Sequence, residues 1–271
     1  MKIRFLYCEG PHDVEFITKT IQCHDLAVID KRVLSDLPKP LDMLTIKAFQ
    51  AVDIENIRLD KPSGSFIPSK LLKEEGTDVY YLVYSIGGKY RLRDAFNSVK
   101  MSTLLASKID YLDVENYFIL DADYEGMDHG GRAATLDYIK DQATEHLGED
   151  MVPSDGKFTS DSYEVYYYIL ADEDENEGTL EDIMSGMIKH GQVFERAQEY
   201  CDAISTMAET ITKLKISDVT KKQKAVLTTY SQVFNPSYSL AVGISSKEVI
   251  DESKMLESTQ CVSLIDCLSN R

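Results

Sequence analysis

The 271-residue sequence predicts an α/β fold with a Rossmann-like, mostly parallel sheet flanked by helices. Short apolar and aromatic runs alternate with segments of helical apolar spacing, which is the pattern of βαβ units. Two of these runs end in acidic residues: residues 3–8 precede Glu9, and residues 117–120 precede Asp121. Acids at the carboxyl ends of parallel strands face the crevice in which α/β sheets bind ligands.

The chain begins with a strand over residues 3–8, a Gly-Pro break, and a helix that Asp13 is placed to cap. Residues 30–76 are less regular, with patches of helical periodicity over residues 41–59 and a loop signal at residues 61–65. We predict that this stretch is an insertion that packs against the sheet or covers its end. Regular patterning returns with a strand over residues 78–86, which Gly87 and the glycine after it terminate.

A helix with one apolar face follows, and then the strand over residues 117–120, a glycine-rich loop and another helix. The next strand covers residues 163–170 and leads into the acidic segment 172–177. Thr179 is the expected N-cap of the helix that comes after it, with Asp182 at the capping-box position. Strands and helices therefore alternate through this part of the chain.

Beyond about residue 193 the pattern is helical only, so we predict an α/β domain over residues 1–190 and a helical extension over residues 191–271.

No stretch reaches the roughly 18 apolar residues that a membrane span requires. The N-terminus lacks the features of a secretory signal. Five scattered cysteines without a CxxC pair argue against a zinc or disulfide scaffold. We therefore expect a cytoplasmic protein that does not contact membranes.

The net charge of −17 argues against a surface that binds nucleic acid as a whole. Binding to DNA or RNA would need a local positive patch, a metal ion or a partner protein. Lys89, Arg91 and Arg93 lie at a predicted helix start, where anions are already favoured. They are our candidate phosphate-binding residues, with ordinary surface charge as the alternative. A second basic segment, residues 213–224, leaves the same two interpretations open.

Asp121 and Asp123 are two residues apart, and in a continued strand such side chains point to the same face. Two close carboxylates need a cation or raised pKa values, and carboxylate oxygens suit Mg²⁺. A solvated loop with two acids is the alternative. For Glu9 and Asp13, the alternative is a turn acid followed by a helix cap.

Taken in order, residues 9–13 (EGPHD), the strand ending in Gly87 and Gly88, and residues 121–123 (DAD) resemble the TOPRIM domain of topoisomerases, primases and OLD-family nucleases. Two further segments, 178–182 (GTLED) and 221–225 (KKQKA), resemble the compact stand-alone TOPRIM group related to the OLD nucleases. The resemblance implies a TOPRIM fold for most of the chain.

The resemblance also implies a nuclease that depends on Mg²⁺ or Mn²⁺ and hydrolyses phosphodiester bonds of DNA or RNA. Glu9 would be a metal ligand or general acid/base, while Asp121 and Asp123 would hold the ion, and all three would be catalytic. Asp13 and Glu181 are the candidate ligands of a second ion. Proteins of this group resemble effectors of bacterial antiviral defence, which are often held inactive by an ATPase partner.

Two other functions stay open. The first is a non-catalytic or partner-controlled module in a complex with an ATPase, and the net charge of −17 motivates this alternative. A phosphatase with Asp121 as nucleophile is the other, because residues 118–123 superficially resemble the haloacid-dehalogenase motif. Tyr124 follows where that motif usually has Thr or Val. A homodimer is expected from base rates alone.

Overall fold

The computed structural model of the chain describes residues 1–50, 66–172, 176–212 and 219–269. These residues form a mixed α/β fold with an eight-stranded sheet. In chain order the strands are β1 (Lys2–Cys8), β2 (Val28–Ile29), β3 (Lys70–Lys73), β4 (Val79–Ser85), β5 (Asp113–Asp121), β6 (Val152–Ser154), β7 (Lys157–Thr159) and β8 (Glu164–Leu170).

The α-helices of the described residues follow the predicted alternation, and two short 3₁₀ helices cover Leu34–Asp36 and Lys89–Arg91. The α-helices are α1 (Pro11–Cys23), α2 (Leu41–Gln50), α3 (Leu92–Ala106), α4 (Arg132–Leu147), α5 (Leu180–Gly186), α6 (Gly191–Thr212), α7 (Val219–Phe234), α8 (Leu240–Ser245), α9 (Glu252–Glu257) and α10 (Thr259–Ser269). Every helix described is too short or too polar to cross a membrane.

The sheet has a parallel centre and antiparallel edges. Its strand order is β2-β3-β4-β1-β5-β8-β7-β6, and β1 pairs in parallel with both β4 and β5. At one edge β2, β3 and β4 pair antiparallel, and at the other edge β8, β7 and β6 do so. The predicted α/β class and its parallel centre are confirmed, whereas the sequence analysis does not anticipate the antiparallel edges.

The central strand β1 is buried along its length after Lys2. Strands of a parallel sheet are covered on both faces, which is why β1 reads as a continuous apolar run in the sequence. The aromatic rings of Phe5, Tyr7 and Tyr84 pack against one another with centroids 5.6–6.4 Å apart. This packing fills the core beside the strand that leads to Glu9.

Helix α1 begins earlier than predicted, which changes the role of Asp13. The helix starts at Pro11, a residue whose constrained φ suits the first helical position. Gly10 is therefore the residue before the helix, and its N–H donates to Oδ2 of Asp13 at 2.9 Å. The prediction that Asp13 is the N-cap is wrong: it lies in the first turn and satisfies the backbone from inside the helix.

The predicted insertion at residues 30–76 contributes to the sheet instead of only packing on it. Within it, β3 pairs with β4, and α2 accounts for part of the helical periodicity. Residues 51–65, which include the predicted loop at 61–65, lie outside the described residues. The hairpin of β6 and β7 is a further addition, closed at Asp155 and Gly156.

By contacts the chain divides into two units. The first contains Met1–Val14, Asp25–Leu120 and Asp137–Tyr168, and the second contains Glu15–His24, Asp121–Leu136 and Ile169–Arg271. The first unit holds the parallel centre of the sheet. The second holds α5 to α10 together with most of α1. The helices expected after residue 193 are present, and the domain boundary at residue 190 stays a prediction.

Candidate acidic site

The loop after β1 is bound to the loop after β4, and both lie in the first unit. The carbonyl of Glu9 accepts hydrogen bonds from the N–H groups of Gly87 and Gly88, each at 2.9 Å. Gly87 and Gly88 have φ values of 81° and 113°, which L side chains rarely adopt. The two glycines therefore permit the backbone conformation that holds the main chain of Glu9 in place.

Asp13 and Glu9 place negative charge beside the end of β1. Asp13 is buried, with 6% of its surface exposed. The pKa of the buried Cys8 thiol is raised well above its ordinary value, first by burial and then by the charges of Asp13 and Glu9. Cys8 therefore stays protonated near neutral pH and is a poor nucleophile.

The two acids of the DAD segment lie in the second unit and differ in conformation. Asp121 ends β5, and its Oδ1 accepts a hydrogen bond from the N–H of Leu180 at 3.1 Å. Asp123 has a φ of 59°, and its carbonyl accepts from the N–H of Gly178 at 3.0 Å. The strand therefore does not continue to Asp123, so the alternation expected of a strand does not relate the two side chains.

The loop after β5 is bound to the loop after β8 by hydrogen bonds that its backbone N–H groups donate. The N–H of Glu125 donates to Oε2 of Glu177 at 2.6 Å, and the N–H of Arg132 donates to the carbonyl of Asn176 at 2.8 Å. These bonds set the course of the chain that carries Asp123. Residues 173–175, which contain Asp174, lie outside the described residues.

Asp182 is the centre of a hydrogen-bond network in the second unit. Its Oδ2 accepts from the N–H of Thr179 at 2.8 Å, from the Thr179 hydroxyl at 3.0 Å and from the Tyr124 hydroxyl at 2.7 Å. Its Oδ1 accepts from Nε2 of Gln223. The predicted capping pair of Thr179 and Asp182 is confirmed. Burial, and then the bond to Asp182, raise the pKa of Tyr124.

Tyr124 and Gln223 are site residues that the sequence analysis does not identify. The Tyr124 hydroxyl also lies 3.0 Å from Oε1 of Gln223. For Gln223, the sequence did carry a signal, because residues 221–225 resemble the compact stand-alone TOPRIM group. Tyr124 follows the DAD segment directly, and no local pattern marks it as a partner of Asp182.

Glu181 is held by a lysine of α7. Its side chain is 4% exposed, and its Oε1 lies 3.1 Å from Nζ of Lys224. The sequence analysis proposed Glu181 as a metal ligand, and in the structure it takes part in an ion pair. A buried carboxylate requires a compensating positive charge, which Lys224 supplies.

The candidate phosphate-binding residues are not equivalent. Lys89 is buried, with 4% of its surface exposed, whereas Arg91 and Arg93 are exposed. The two arginines therefore offer their charge to solvent more readily than Lys89. Of the second basic segment, residues 213–218 lie outside the described residues, and Lys222 pairs with Asp202 at 2.6 Å.

The register of β1 and β5 relates the two strand ends that carry predicted acids. Cys8 lies opposite Ile119 in this parallel pair, so Glu9 and Asp121 follow at the same end of two neighbouring strands. Asp13 is close to Glu9 in the chain, and Asp121 is linked to the start of α5, where Glu181 lies, through the bond from Leu180.

The donor chemistry of these acids fits Mg²⁺, which commonly keeps several waters and uses only one or two carboxylates of the protein. Across residues 1–50, 66–172, 176–212 and 219–269, no three His, Cys, Asp or Glu side chains are grouped to hold a metal ion. An ion at this site would therefore depend on water and on substrate oxygens for the rest of its coordination.

Comparisons with known proteins place the chain in a family and support its fold. The model of the family described as "Protein of unknown function (DUF3226)" matches residues 3–261. The chain is similar to the hypothetical protein PH0156 from Pyrococcus horikoshii OT3, with a TM-score of 0.52 and 14% identity over 100% of this chain and 95% of that one. At this identity the likeness shows the fold alone. No curated protein matches the sequence.

Proposed function

The chain belongs to the DUF3226 family, and we propose that it is a magnesium-dependent, TOPRIM-type nuclease that hydrolyses phosphodiester bonds of DNA or RNA. The observation that supports the proposal is the parallel register of β1 and β5, in which Cys8 pairs with Ile119; Glu9 directly follows β1, and Asp121 is the last residue of β5. These strand ends lie at the edge of an α/β sheet at which ligands bind. The TOPRIM resemblance of the same residues gives the reaction.

In this proposal Asp121 and Asp123 would hold Mg²⁺ or Mn²⁺, and Glu9 would be a further ligand or the general acid/base. Such an ion, when bound, lowers the pKa of water and stabilises negative charge on a phosphate. Glu9 takes a proton from the attacking water or gives one to the leaving oxygen. The Leu180 N–H orients the carboxylate of Asp121 through its 3.1 Å hydrogen bond.

In this proposal the exposed arginines attract the nucleic-acid substrate. Arg91 and Arg93 are the solvent-facing members of the basic group after β4, and guanidinium groups match phosphate oxygens well. With a net charge of −17, the rest of the protein repels a polyanion at long range. Binding that depends on a local patch is therefore expected to weaken steeply as salt rises.

The test is cleavage of single- and double-stranded DNA and RNA in Mg²⁺ or Mn²⁺ by the wild type and by Glu9→Gln, Asp121→Asn and Asp123→Asn. Each variant removes charge with little change of shape. Asparagine retains an oxygen for the Leu180 N–H, and it tolerates the left-handed backbone at position 123. We expect each variant to lose about 100-fold or more in rate.

Asp128→Asn is the matched control, because Asp128 lies in the same loop after β5 with its side chain 75% exposed. This variant is expected to cleave at the wild-type rate. The proposal fails if the wild type leaves every substrate intact in both metals, or if the three site variants cleave as fast as the control.

A partner-controlled module is the second candidate, and one observation favours it. Glu181 and Asp182 are engaged by Lys224 and Gln223 of α7, so part of the acidic group is occupied by the chain itself. An ATPase partner in a bacterial antiviral system would then regulate a nuclease located in the cytoplasm. Stable co-purification of such a partner, without cleavage by the isolated chain, would support this candidate, and full activity of the chain alone would contradict it.

A further inference from the structure

Glu181 has a positive partner supplied by the chain itself. Its side chain is 4% exposed, and Nζ of Lys224 lies 3.1 Å from its Oε1. Taking a carboxylate out of water is unfavourable unless a positive charge lies beside it. Lys224 therefore gives Glu181 a counter-charge from within the chain, without a divalent ion.

Lys224 is positioned by a helix that is well packed within the second unit. Leu227 and Tyr230 of α7 are fully buried. The Tyr230 hydroxyl accepts from the N–H of His190 at 3.1 Å and lies 3.1 Å from the carbonyl of Val249. The backbone position of Lys224 on α7 is therefore set by the core of this unit, and the attraction of Glu181 directs its ammonium group.

The preceding residue of α7 binds the neighbouring acid in a similar way. Gln223 donates to Oδ1 of Asp182, and Oδ2 of that aspartate accepts from Thr179 and Tyr124. Both acids at the start of α5 are thus engaged by protein groups. Magnesium requires carboxylate oxygens that are directed at it in near-octahedral geometry. Oε1 of Glu181, which is directed at an ammonium group, does not meet this requirement.

We propose that Lys224 takes the place of a second divalent ion, so that the acidic site binds one Mg²⁺ or Mn²⁺ per chain and Glu181 is not a ligand. The inference rests on the proposed function, because the single ion is the one that Asp121 and Asp123 would hold. Lys224 is a positioning residue in this account: it neutralises and orients Glu181, and no contact with substrate is assigned to it.

Calorimetric titration of Mn²⁺ into the full chain tests the inference, in about 0.15 M KCl to screen weak binding to the acidic surface. We expect one ion for the wild type. Glu181→Gln should also bind one ion, with a Kd within about twofold of wild type, whereas Asp121→Asn should weaken binding at least tenfold. Lys222→Gln is the matched control, because Lys222 lies on the same helix as Lys224 and forms an exposed ion pair with Asp202 of α6. This variant should leave the number of bound ions and the Kd unchanged.

Lys224→Gln tests the inference from the other side, because it removes the positive charge that is proposed to replace the second ion. This variant should bind a second Mn²⁺ beside Glu181, and the double variant Glu181→Gln, Lys224→Gln should again bind one ion. Thermal unfolding without metal shows whether each variant is folded. If Lys224→Gln does not fold, the Glu181→Gln arm still decides the matter, because it keeps the lysine and removes only the carboxylate charge.

The outcomes separate this inference from the function on which it rests. Two ions in the wild type, a tenfold weaker Kd in Glu181→Gln, or a folded Lys224→Gln that binds one ion would overturn the inference and leave the metal-dependent nuclease standing. Absence of any Mn²⁺ binding that responds to Asp121→Asn would contradict the proposed function and the inference together.

Discussion

At the scale of single residues, Gly130 is the position where the loop after β5 tolerates least change. A Cβ atom at this position would lie 2.0 Å from the carbonyl oxygen of Tyr124 and 3.2 Å from Cβ of Met127. Because the first of these neighbours is backbone, relief requires the loop to move. We expect Gly130→Ala to lower the free energy of unfolding by about 1–3 kcal/mol, as overpacking commonly does, measured by urea denaturation.

Gly186→Ala is the control for this substitution. Gly186 ends α5, and a Cβ atom there would have no neighbour within 4 Å. Alanine is also the better helix former, so this variant should equal or slightly exceed the wild type in stability. Equal stability of Gly130→Ala and the wild type would show that the loop does not pack as described.

Residue-scale features also separate what the sequence revealed about the site from what it did not. The acids Glu9 and Asp121 were predicted because each directly follows an apolar strand, which is a local pattern. The left-handed backbone of Asp123 was not predicted, because it depends on pairing with Gly178 after the next long strand. The Lys224–Glu181 ion pair was likewise hidden, since it joins two helices that are far apart in the sequence.

At the scale of elements, a buried charged layer crosses the three central strands. Arg4 of β1 lies opposite Tyr81 of β4 and Glu115 of β5 in the strand registers. Its Nε donates to Oε2 of Glu115 at 2.7 Å, and its Nη1 donates to the Tyr81 hydroxyl at 2.6 Å. The side chains of Arg4 and Glu115 are only 7% and 9% exposed. This layer links the strands that lead to Glu9 and Asp121.

We expect Arg4→Met to lower the free energy of unfolding by about 3 kcal/mol, since it leaves the buried Glu115 carboxylate short of positive charge. Lys2, 2.7 Å from Oε1 of Glu115, remains and limits the loss. The double variant Arg4→Met, Glu115→Gln should recover part of the stability, because the buried Glu115 charge is then removed, although Glu74 still lacks the Arg4 Nη1 that lies 3.2 Å from its Oε1.

Arg196→Gln is the control for the charged layer, because its ion pair with Glu199 is exposed and surface pairs contribute little. Chemical denaturation of all four proteins provides the comparison. A stability of Arg4→Met equal to that of the control would contradict the role given to the layer.

Elements differ in how far the sequence predicts them. Strands β1, β4 and β5 are mostly buried, β8 is an apolar and aromatic run that is partly buried, and local pattern reveals each of them. Strands β2 and β3 have two and four residues, and their pairing with neighbours defines them more than their own composition does. The hairpin of β6 and β7 did carry a signal, because Asp155-Gly156 between two short runs is a favoured two-residue turn.

At the scale of the whole molecule, the charge of −17 constrains every account of function. A protein with this charge repels nucleic acid at long range, so recognition must be local or assisted. Bound divalent ions would offset some of the negative charge at the acidic site. The family and the structural neighbour support the fold and leave the chemistry to the site residues. The central claim is therefore that the carboxylates of the acidic site, those of Asp121 and Asp123, bind a divalent ion.

The most direct test of that claim is a crystal of the protein soaked in MnCl₂, with diffraction data collected at the manganese absorption edge. Our account predicts an anomalous peak with carboxylate oxygens of Asp121 and Asp123 at about 2.1 Å, the distance that small divalent ions require. Glu181 should remain paired with Lys224 in the same crystal. A map with no peak at these carboxylates, in crystals whose soak saturates other manganese sites, would contradict the account.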